Sequence, residues 1–490
     1  MKFLKDLSQK KLAKAVVCGL MVSGGMVVGM GQAFAAAPVT GRDGSTYNCS
    51  TLNDTSTATA LEGVTNFNFY IPATANHADS MLIINEISGS SYVSYKFAPG
   101  TTINAGVQTG SKLRVGNVIT LMANVSAPFT SLENISTRGI LTESDYKEFG
   151  LVITDEAGGH LIAARVTSVP GTNNPTNDGG HLTEESKSPV ETQAAGLTLL
   201  TTGADMLASQ GFDNASTAVA NEVGEGGSAN VMTPFAAVGG AKSKVKSGSH
   251  VDVKGWNLNV GLAKEIKNKA GKLLIGPVVE YGKGSYDSYL DNGYHGEGDT
   301  KYIGGGIMAK QTNDNGFYYE GSLRVGKLDN DYKARVNSYD SDATYYAAHI
   351  GVGKIVKLSD KNTLDYYGKY FYTHQKGDNT TLHAGGVDYD LSFDSVKSNR
   401  TRIGGRFTHA MSEKDSIYVG LAWQHEFSGT ARATIDGAGT PAPTVKGNTG
   451  IMELGWKVNA NKNLDLDLGA TAYTGKQKGA SLNLAMNFKF

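Results

Sequence analysis

The stretch that decides the fold is the last one, Ser481-Leu482-Asn483-Leu484-Ala485-Met486-Asn487-Phe488-Lys489-Phe490. Leu482, Leu484, Met486, Phe488 and Phe490 are apolar at every second position, with Ser481, Asn483, Ala485, Asn487 and Lys489 between them. Successive side chains of a β-strand point to opposite faces, so this period predicts a strand with one apolar and one wet face. The pattern recurs upstream. Trp256, Leu258, Val260 and Leu262 alternate with Asn257, Asn259, Gly261 and Ala263, and Leu464, Leu466 and Leu468 alternate with Asp465, Asp467 and Gly469.

Working outward, twelve such segments are expected, at 231–242, 251–264, 272–283, 298–311, 316–328, 343–357, 363–375, 395–410, 416–427, 446–458, 464–473 and 480–490. Short connections such as Asn268-Lys269-Ala270-Gly271 and Asn313-Asp314-Asn315-Gly316 supply residues that tolerate positive φ. Others, at 377–394 and 429–445, are long, polar and Gly-rich. An even number of strands joined by short turns and long loops is the pattern of a transmembrane β-barrel, with the short turns on the periplasmic side. Nothing beyond the amino-terminal leader is apolar enough to span a bilayer as a helix. Membrane integration therefore requires closure, because lipid tolerates no unpaired strand edge. All three Trp and 18 of the 23 Tyr lie after residue 230, where they are expected to form interfacial girdles. A soluble sandwich or propeller is the competing all-β reading and leaves that excess without a reason.

Charge divides the chain at the same place. Residues 36–230 carry 8 Lys+Arg against 19 Asp+Glu, and residues 231–490 carry 32 against 26. An acidic first half argues against nucleic acid as a partner, since phosphate binding needs a basic face. At the amino terminus, Lys2, Lys5, Lys10, Lys11 and Lys14 precede the apolar run 15–30, and Ala33-Phe34-Ala35 offers a small-x-small cleavage site. Residues 1–35 are thus expected to be a secretory signal peptide. Cys49 would then be the only cysteine of the mature chain, so no intramolecular disulfide forms.

Several stretches of the second half resemble the autotransporter (type V secretion) β-domain. They include His250-Val251-Asp252-Val253-Lys254-Gly255-Trp256-Asn257, Glu280-Tyr281-Gly282-Lys283-Gly284-Ser285-Tyr286, Tyr319-Glu320-Gly321-Ser322-Leu323-Arg324-Val325-Gly326 and Gly420-Leu421-Ala422-Trp423-Gln424-His425-Glu426-Phe427. Each is weak alone; their shared order spans nearly all of 231–490. The resemblance implies a twelve-stranded outer-membrane barrel that displays the amino-terminal passenger at the cell surface. It also implies outer-membrane lipid, periplasmic chaperones and the barrel-assembly machinery as partners, with Phe490 and Phe488 as the assembly signal.

Before the barrel, Ser188-Pro189-Val190-Glu191 reads as a capping box with Ser188 at the N-cap and Glu191 at N3. Val190, Ala194, Leu197, Leu200, Ala204 and Leu207 follow a 3.6-residue period. A helix to Gln210 and a second piece at 213–223 are expected within the linker 184–230. Either could be the plug that the family places in the pore; a linker helix outside the pore is the alternative. On the strand registers, Glu280, Glu320, Arg324, Glu426 and Glu453 oppose apolar neighbours and are expected to face the lumen, which is polar in such barrels.

The passenger, 36–183, is expected to be β-rich. Strands are read at 67–72, 81–84, 92–97, 113–122, 151–154 and 160–166, and 173–178 reads as a Pro/Asn-rich linker. A short β-solenoid is what the resemblance implies, although no repeat of fixed period is visible. The passenger carries no Gly-x-Ser-x-Gly elbow and no His-Glu-x-x-His helix. His77, His160 and His181 are scattered. No catalytic, cofactor-binding or metal-ligating residue is assigned. The reading is therefore an autotransporter with an adhesive or structural passenger and a surface ligand of unknown identity. A secreted hydrolase as passenger, or a channel with a periplasmic amino-terminal domain, are the alternatives.

Overall fold

The computed structural model describes residues 38–125, 127–169, 174–224, 231–461 and 464–488. The expected signal peptide and Phe490 lie outside these residues, as does the side chain of Phe488.

The first half coils. Strands β1 (Thr46–Cys49), β3 (Asn66–Ile71), β5 (Thr101–Val107) and β7 (Ile135–Thr142) stack in one parallel ladder. Strands β2 (Asp54–Ser56), β4 (Ser80–Ile84) and β6 (Val118–Asn124) stack in a second. Two parallel ladders built from alternate strands are a short β-solenoid. Its period is irregular: the Thr46 to Asn66 step is 20 residues and the Asn66 to Thr102 step is 36. That irregularity hides the repeat from any search at fixed spacing.

Alternation along each strand sorts the side chains. Tyr47, Phe67 and Ile103 stack inward in register, as do Cys49, Phe69 and Ala105. Tyr95 meets Phe97 and Phe129 edge to face, with Tyr95 and Phe97 centroids 5.1 Å apart, and Phe97 lies tilted against Phe129. Each buried ring contributes about 1.5–3 kcal/mol. On the outward side, Asn68 Nδ2 donates to Asn48 Oδ1 and Asn104 Nδ2 to Asn68 Oδ1, both at 3.0 Å, forming an amide ladder along the coil axis. A hairpin of β8 (Lys147–Glu156) and β9 (Leu161–Thr167) pairs antiparallel with β7 and β6 and ends the solenoid by covering its open edge.

Two expected strands are shorter than read. The segment 113–117 turns instead, with Gly116 at φ +94° and Asn117 N–H donating to Arg114 C=O at 2.9 Å. Of 92–97 only Tyr92 lies in a strand, Ser91–Tyr92, which pairs with Ile87–Ser88 in a protruding hairpin.

The second half closes on itself. Among the described residues twelve antiparallel strands form the wall: β10 (Thr233–Lys246), β11 (His250–Asn268), β12 (Gly271–Tyr289), β13 (His295–Asn313), β14 (Phe317–Ala334), β15 (Asn337–Lys357), β16 (Asn362–Gln375), β17 (Val396–Ala410), β18 (Asp415–Glu426), β19 (Gly447–Asn461), β20 (Leu464–Gly475) and β21 (Gln477–Phe488). The stretches 377–394 and 429–445, expected as loops, hold four short strands of the same sheet, Asp378–Ala384, Val387–Phe393, Ala433–Ile435 and Ala438–Gly439. Strand β21 pairs with β10 from Ala236↔Met486 to Val245↔Gln477, which removes both edges. Apolar side chains face outward: Leu482 is 70 % exposed, Leu421 67 % and Ile350 64 %.

The ladders run past the ends expected from alternating hydrophobicity. Strand β12 was expected at 272–283 and continues to Tyr289, because Ser285 and Asp287 are polar but keep their backbone pairing. A transmembrane strand needs only about 9–11 residues, and β15 has 21, so the wall projects beyond the apolar band at the long-loop end. The tyrosines also divide. Tyr281, Tyr319, Tyr346, Tyr366 and Tyr370 face outward, whereas Tyr286, Tyr302, Tyr318, Tyr332, Tyr339 and Tyr345 are buried inside the barrel. Girdle formation accounts for only the first set.

One prediction follows from the solenoid core. Cys49 is fully buried, and burial together with the neighbouring Asp54 carboxylate pushes its thiol up to about 12. A maleimide at neutral pH is expected to leave the folded protein unlabelled and to label it fully in denaturant; rapid labelling of the folded chain would contradict the core placement.

Candidate functional site

The barrel lumen is filled by a helix. Helix α1 (Ser188–Met206) runs through a π turn at Leu207–Gly211 into α2 (Phe212–Gly224) without a break. The two helical pieces read from the sequence are therefore one rod. The capping box is not formed. Ser188 has helical φ −58° and ψ −47°, and a 3-10 turn at Glu184–Lys187 precedes it. The hydroxyl of Tyr332 donates to Ser188 Oγ at 2.9 Å instead. Glu191 accepts hydroxyl hydrogen bonds from Ser247, Ser249 and Ser288, each at 2.5 Å. Barrel hydroxyls have replaced the local cap.

Burial on every side places the rod inside the wall. Leu197, Leu200 and Leu207 are buried, and so are Glu191, Thr192 and Gln193 on other faces. Its first turn meets β12 and β14 at the long-loop end through Ser288 and Tyr332. At the short-turn end Asn214 Nδ2 donates to the carbonyls of Ala236 at 2.7 Å and Met486 at 3.2 Å, and Ala218 and Val219 pack in one buried cluster with Phe235 and Leu274. The chain thus enters the barrel at the long-loop end, crosses it, and leaves beside the start of β10.

Charges fix the seating. Asp205 pairs with Arg400 at 3.0 Å and Arg402 at 2.5 Å, both on β17. Asp213 pairs with Arg406 at 2.8 Å and Lys457 at 3.2 Å. Close approach on the far side needs helix glycines: a Cβ on Gly203 would collide with the Tyr302 hydroxyl, and one on Gly196 would sit 2.9 Å from Leu328 Cδ2.

The residues expected to face the lumen are all buried inside the barrel, and each has a partner. Glu280 pairs with Arg324 at 2.7 Å and accepts from the Tyr345 hydroxyl at 2.7 Å. Glu320 pairs with Lys369 at 2.6 Å, His349 at 3.2 Å and Lys310 at 3.5 Å. Glu453 pairs with Arg406 at 2.9 Å. Glu426 accepts from the Ser398 hydroxyl at 2.5 Å and the Asn399 N–H at 2.8 Å.

Three of these ion pairs reach across an intervening strand, and a glycine lies beneath each one. Gly351 is in register with both Glu320 and Lys369. Gly420 is in register with both Arg406 and Glu453. Gly306 opposes Arg324, and a Cβ there would press to 2.8 Å from Arg324 Cγ. A side chain in the gap would hold the charges apart.

The sequence reading missed the helix carboxylates Asp205 and Asp213 and their partners. The every-second-residue Arg400 and Arg402 was the available signal, since two cations on one strand face need a polar environment.

The solenoid's last turn docks on the long-loop end. The Tyr146 hydroxyl sits 3.0 Å from those of Tyr294 and Tyr332. Asp145 accepts from Asn337 Nδ2 at 2.9 Å, and Tyr389 donates to Glu143 at 3.0 Å. Buried Lys147 pairs with Asp178 at 2.6 Å, Asp436 at 2.9 Å and Glu143 at 3.2 Å. Burial opposes its charge, yet the carboxylates raise its pKa; burial likewise opposes Asp178, which the ammonium holds below the ordinary range. The described part of the expected 173–178 linker is therefore pinned, with Asn174 Nδ2 also donating to Gly439 C=O at 2.9 Å.

Asp205→Asn leaves two buried arginines without their carboxylate, a change that costs about 3–5 kcal/mol. The folded barrel is expected to lose its heat-modifiable mobility at a lower temperature and to conduct more ions in a planar bilayer. Unchanged values in both assays would show that the pair does not seat the helix.

Residues 235–471 match the autotransporter β-domain family. No curated relative matches the chain. The β-domain of the Bordetella autotransporter BrkA is 16 % identical, covering 53 % of this chain and 100 % of that one with a TM-score of 0.43. The translocator domain of NalP from Neisseria meningitidis is 12 % identical, covering 58 % and 98 %, TM-score 0.44. The transport unit of AIDA-I from Escherichia coli is 12 % identical, covering 52 % and 90 %, TM-score 0.41. With its closed twelve-stranded barrel and the match over residues 235–471, the second half of the chain is an autotransporter β-domain.

Proposed function

We propose that this barrel, set in the outer membrane, secretes the chain's own solenoid and holds it at the cell surface as an adhesive or structural binding module rather than an enzyme. The observation that carries the reading is the path of the chain. The solenoid stands at the long-loop end, a single helix threads the lumen, and the first strand begins at the short-turn end. Long loops face outward in barrels of this kind, so that path supports a solenoid on the outer side. A channel needs an open lumen, and the helix with its ion pairs fills this one.

The solenoid's surface supports the binding role. The amide ladder makes a regular polar wall, and the hairpin at 87–92 projects Ile87, 59 % exposed, beside Tyr92, 62 % exposed. Exposed apolar side chains on a projecting turn suit contact with another surface. Assembly would draw on periplasmic chaperones and the barrel-assembly machinery, with Phe488 and Phe490 as the signal.

Protease added to intact cells is expected to digest the passenger and leave the barrel. Digestion that requires permeabilised outer membrane would place the passenger in the periplasm and favour the channel. Hydrolysis of ester or peptide substrates by the surface protein would replace the binding reading with an enzymatic one. Deleting Phe490 is expected to lower the fraction of heat-modifiable barrel in the outer membrane, and an unchanged fraction would remove its role as an assembly signal.

A further inference from the structure

The outer wall carries a belt of lysines that the secretion function does not use. Six adjacent strands, β21 and β10 to β14, present exposed outward lysines near the long-loop end, and one on each strand belongs to a common row: Lys478, Lys242, Lys254, Lys283, Lys301 and Lys327; Lys244, Lys246 and Lys333 stand farther out. Lys254 stands directly opposite Lys242, and Lys301 directly opposite Lys283. Lys283 is one outward position nearer the short-turn end than Ser285, the partner of Lys254. Lys327 is likewise one outward position below Asp329, the partner of Lys301. Closing a barrel staggers the register between neighbouring strands, so a level ring must step back in this way. The six lysines therefore lie at one height.

That height is the edge of the apolar band. The next outward positions toward the short-turn end are Trp256 below Lys254, Tyr281 below Lys283, Ile303 below Lys301 and Val325 below Lys327. Trp256 and Tyr281 pack with ring centroids 5.2 Å apart. Among the described residues only Lys301 of the six has an ion-pair partner, Asp329 at 3.2 Å, and that pair is exposed. Like charges directly opposite on neighbouring strands repel. Two such pairs in one level belt leave exposed positive charge that an anion from outside the chain would offset.

We propose that the belt binds the phosphate groups of an outer-leaflet phosphoglycolipid of the lipid A type. Its acyl chains would lie along the apolar wall below, and its phosphates would sit among the lysine ammonium groups. Lysine recognises phosphate as a point charge and needs no fixed geometry. The flexible lysine stems can follow the apolar surface while their charges stay at the interface. The inference rests on the reading that the long-loop end faces outward.

The test uses the full chain in nanodiscs of phosphatidylcholine containing a minor fraction of lipid A. Lipid A bound per protein is compared for the parent and for K242Q/K254Q/K283Q/K301Q. Each lysine near a charged surface matters by about fivefold, so the quadruple variant is expected to bind lipid A at least about tenfold more weakly. The variant K264Q/K267Q/K269Q/K272Q at the short-turn end is expected to match the parent. If the quadruple variant does not form a heat-modifiable barrel, the parent alone decides: it is expected to prefer lipid A over its dephosphorylated form by about tenfold. Equal binding by the quadruple variant, equal loss in the control variant, or no preference for the phosphates would overturn the proposal. Protease digestion on intact cells reads orientation separately, so a surface passenger with no lipid preference fails this inference alone.

Discussion

Inside a bilayer no water is available to satisfy an exposed backbone N–H or C=O, and the rest of this molecule is arranged around that fact. A sheet made of alternating strands can meet it only by closing. Closure through the pairing of β10 with β21 sends one face of every strand to lipid and the other to a lumen. The outward face can then be apolar all round, and the inward face collects the polar residues that alternation forces upon it.

A polar lumen of this width requires something to fill it, and the chain supplies its own helix. The seating relies on charge more than on hydrophobic contact. Carboxylates at three levels of the rod, Glu191, Asp205 and Asp213, meet hydroxyls, paired arginines and an Arg–Lys pair on the wall. The wall's own charges are tied together over glycines, so Arg324, Lys369 and Arg406 already hold carboxylates before the helix adds its own. Buried charge is tolerated only when paired, and these carboxylates of helix and wall each meet a cation or a set of hydroxyl donors. A helix apolar on one stripe and polar elsewhere suits this site better than a uniformly apolar one.

The passenger obeys other rules in the same chain. Its strands pair in parallel between successive coils, its core is a stack of rings and aliphatic groups, and its end is covered by an antiparallel hairpin. That hairpin's leading turn is also the part that meets the barrel, through Asp145, Tyr146 and Lys147. The solenoid therefore ends where the barrel mouth begins.

Twelve strands and their order were legible in the sequence because period 2 is a local property and each strand has one lipid-facing side. Glu280, Glu320, Arg324, Glu426 and Glu453 were legible as inward for the same reason. Strand ends were not, because past the membrane the outward positions turn polar while the ladder continues. The solenoid's coils of 20 and 36 residues concealed their repeat. Most of all, only the tertiary structure decided where the helix goes. Its spacing predicts a single apolar stripe and a local cap at Ser188. The closed wall surrounds it instead, so Ser188 and Glu191 find partners on strands about a hundred residues away in sequence. Which carboxylate meets which arginine depends on how far the barrel's register is staggered, and no local pattern in the chain records that.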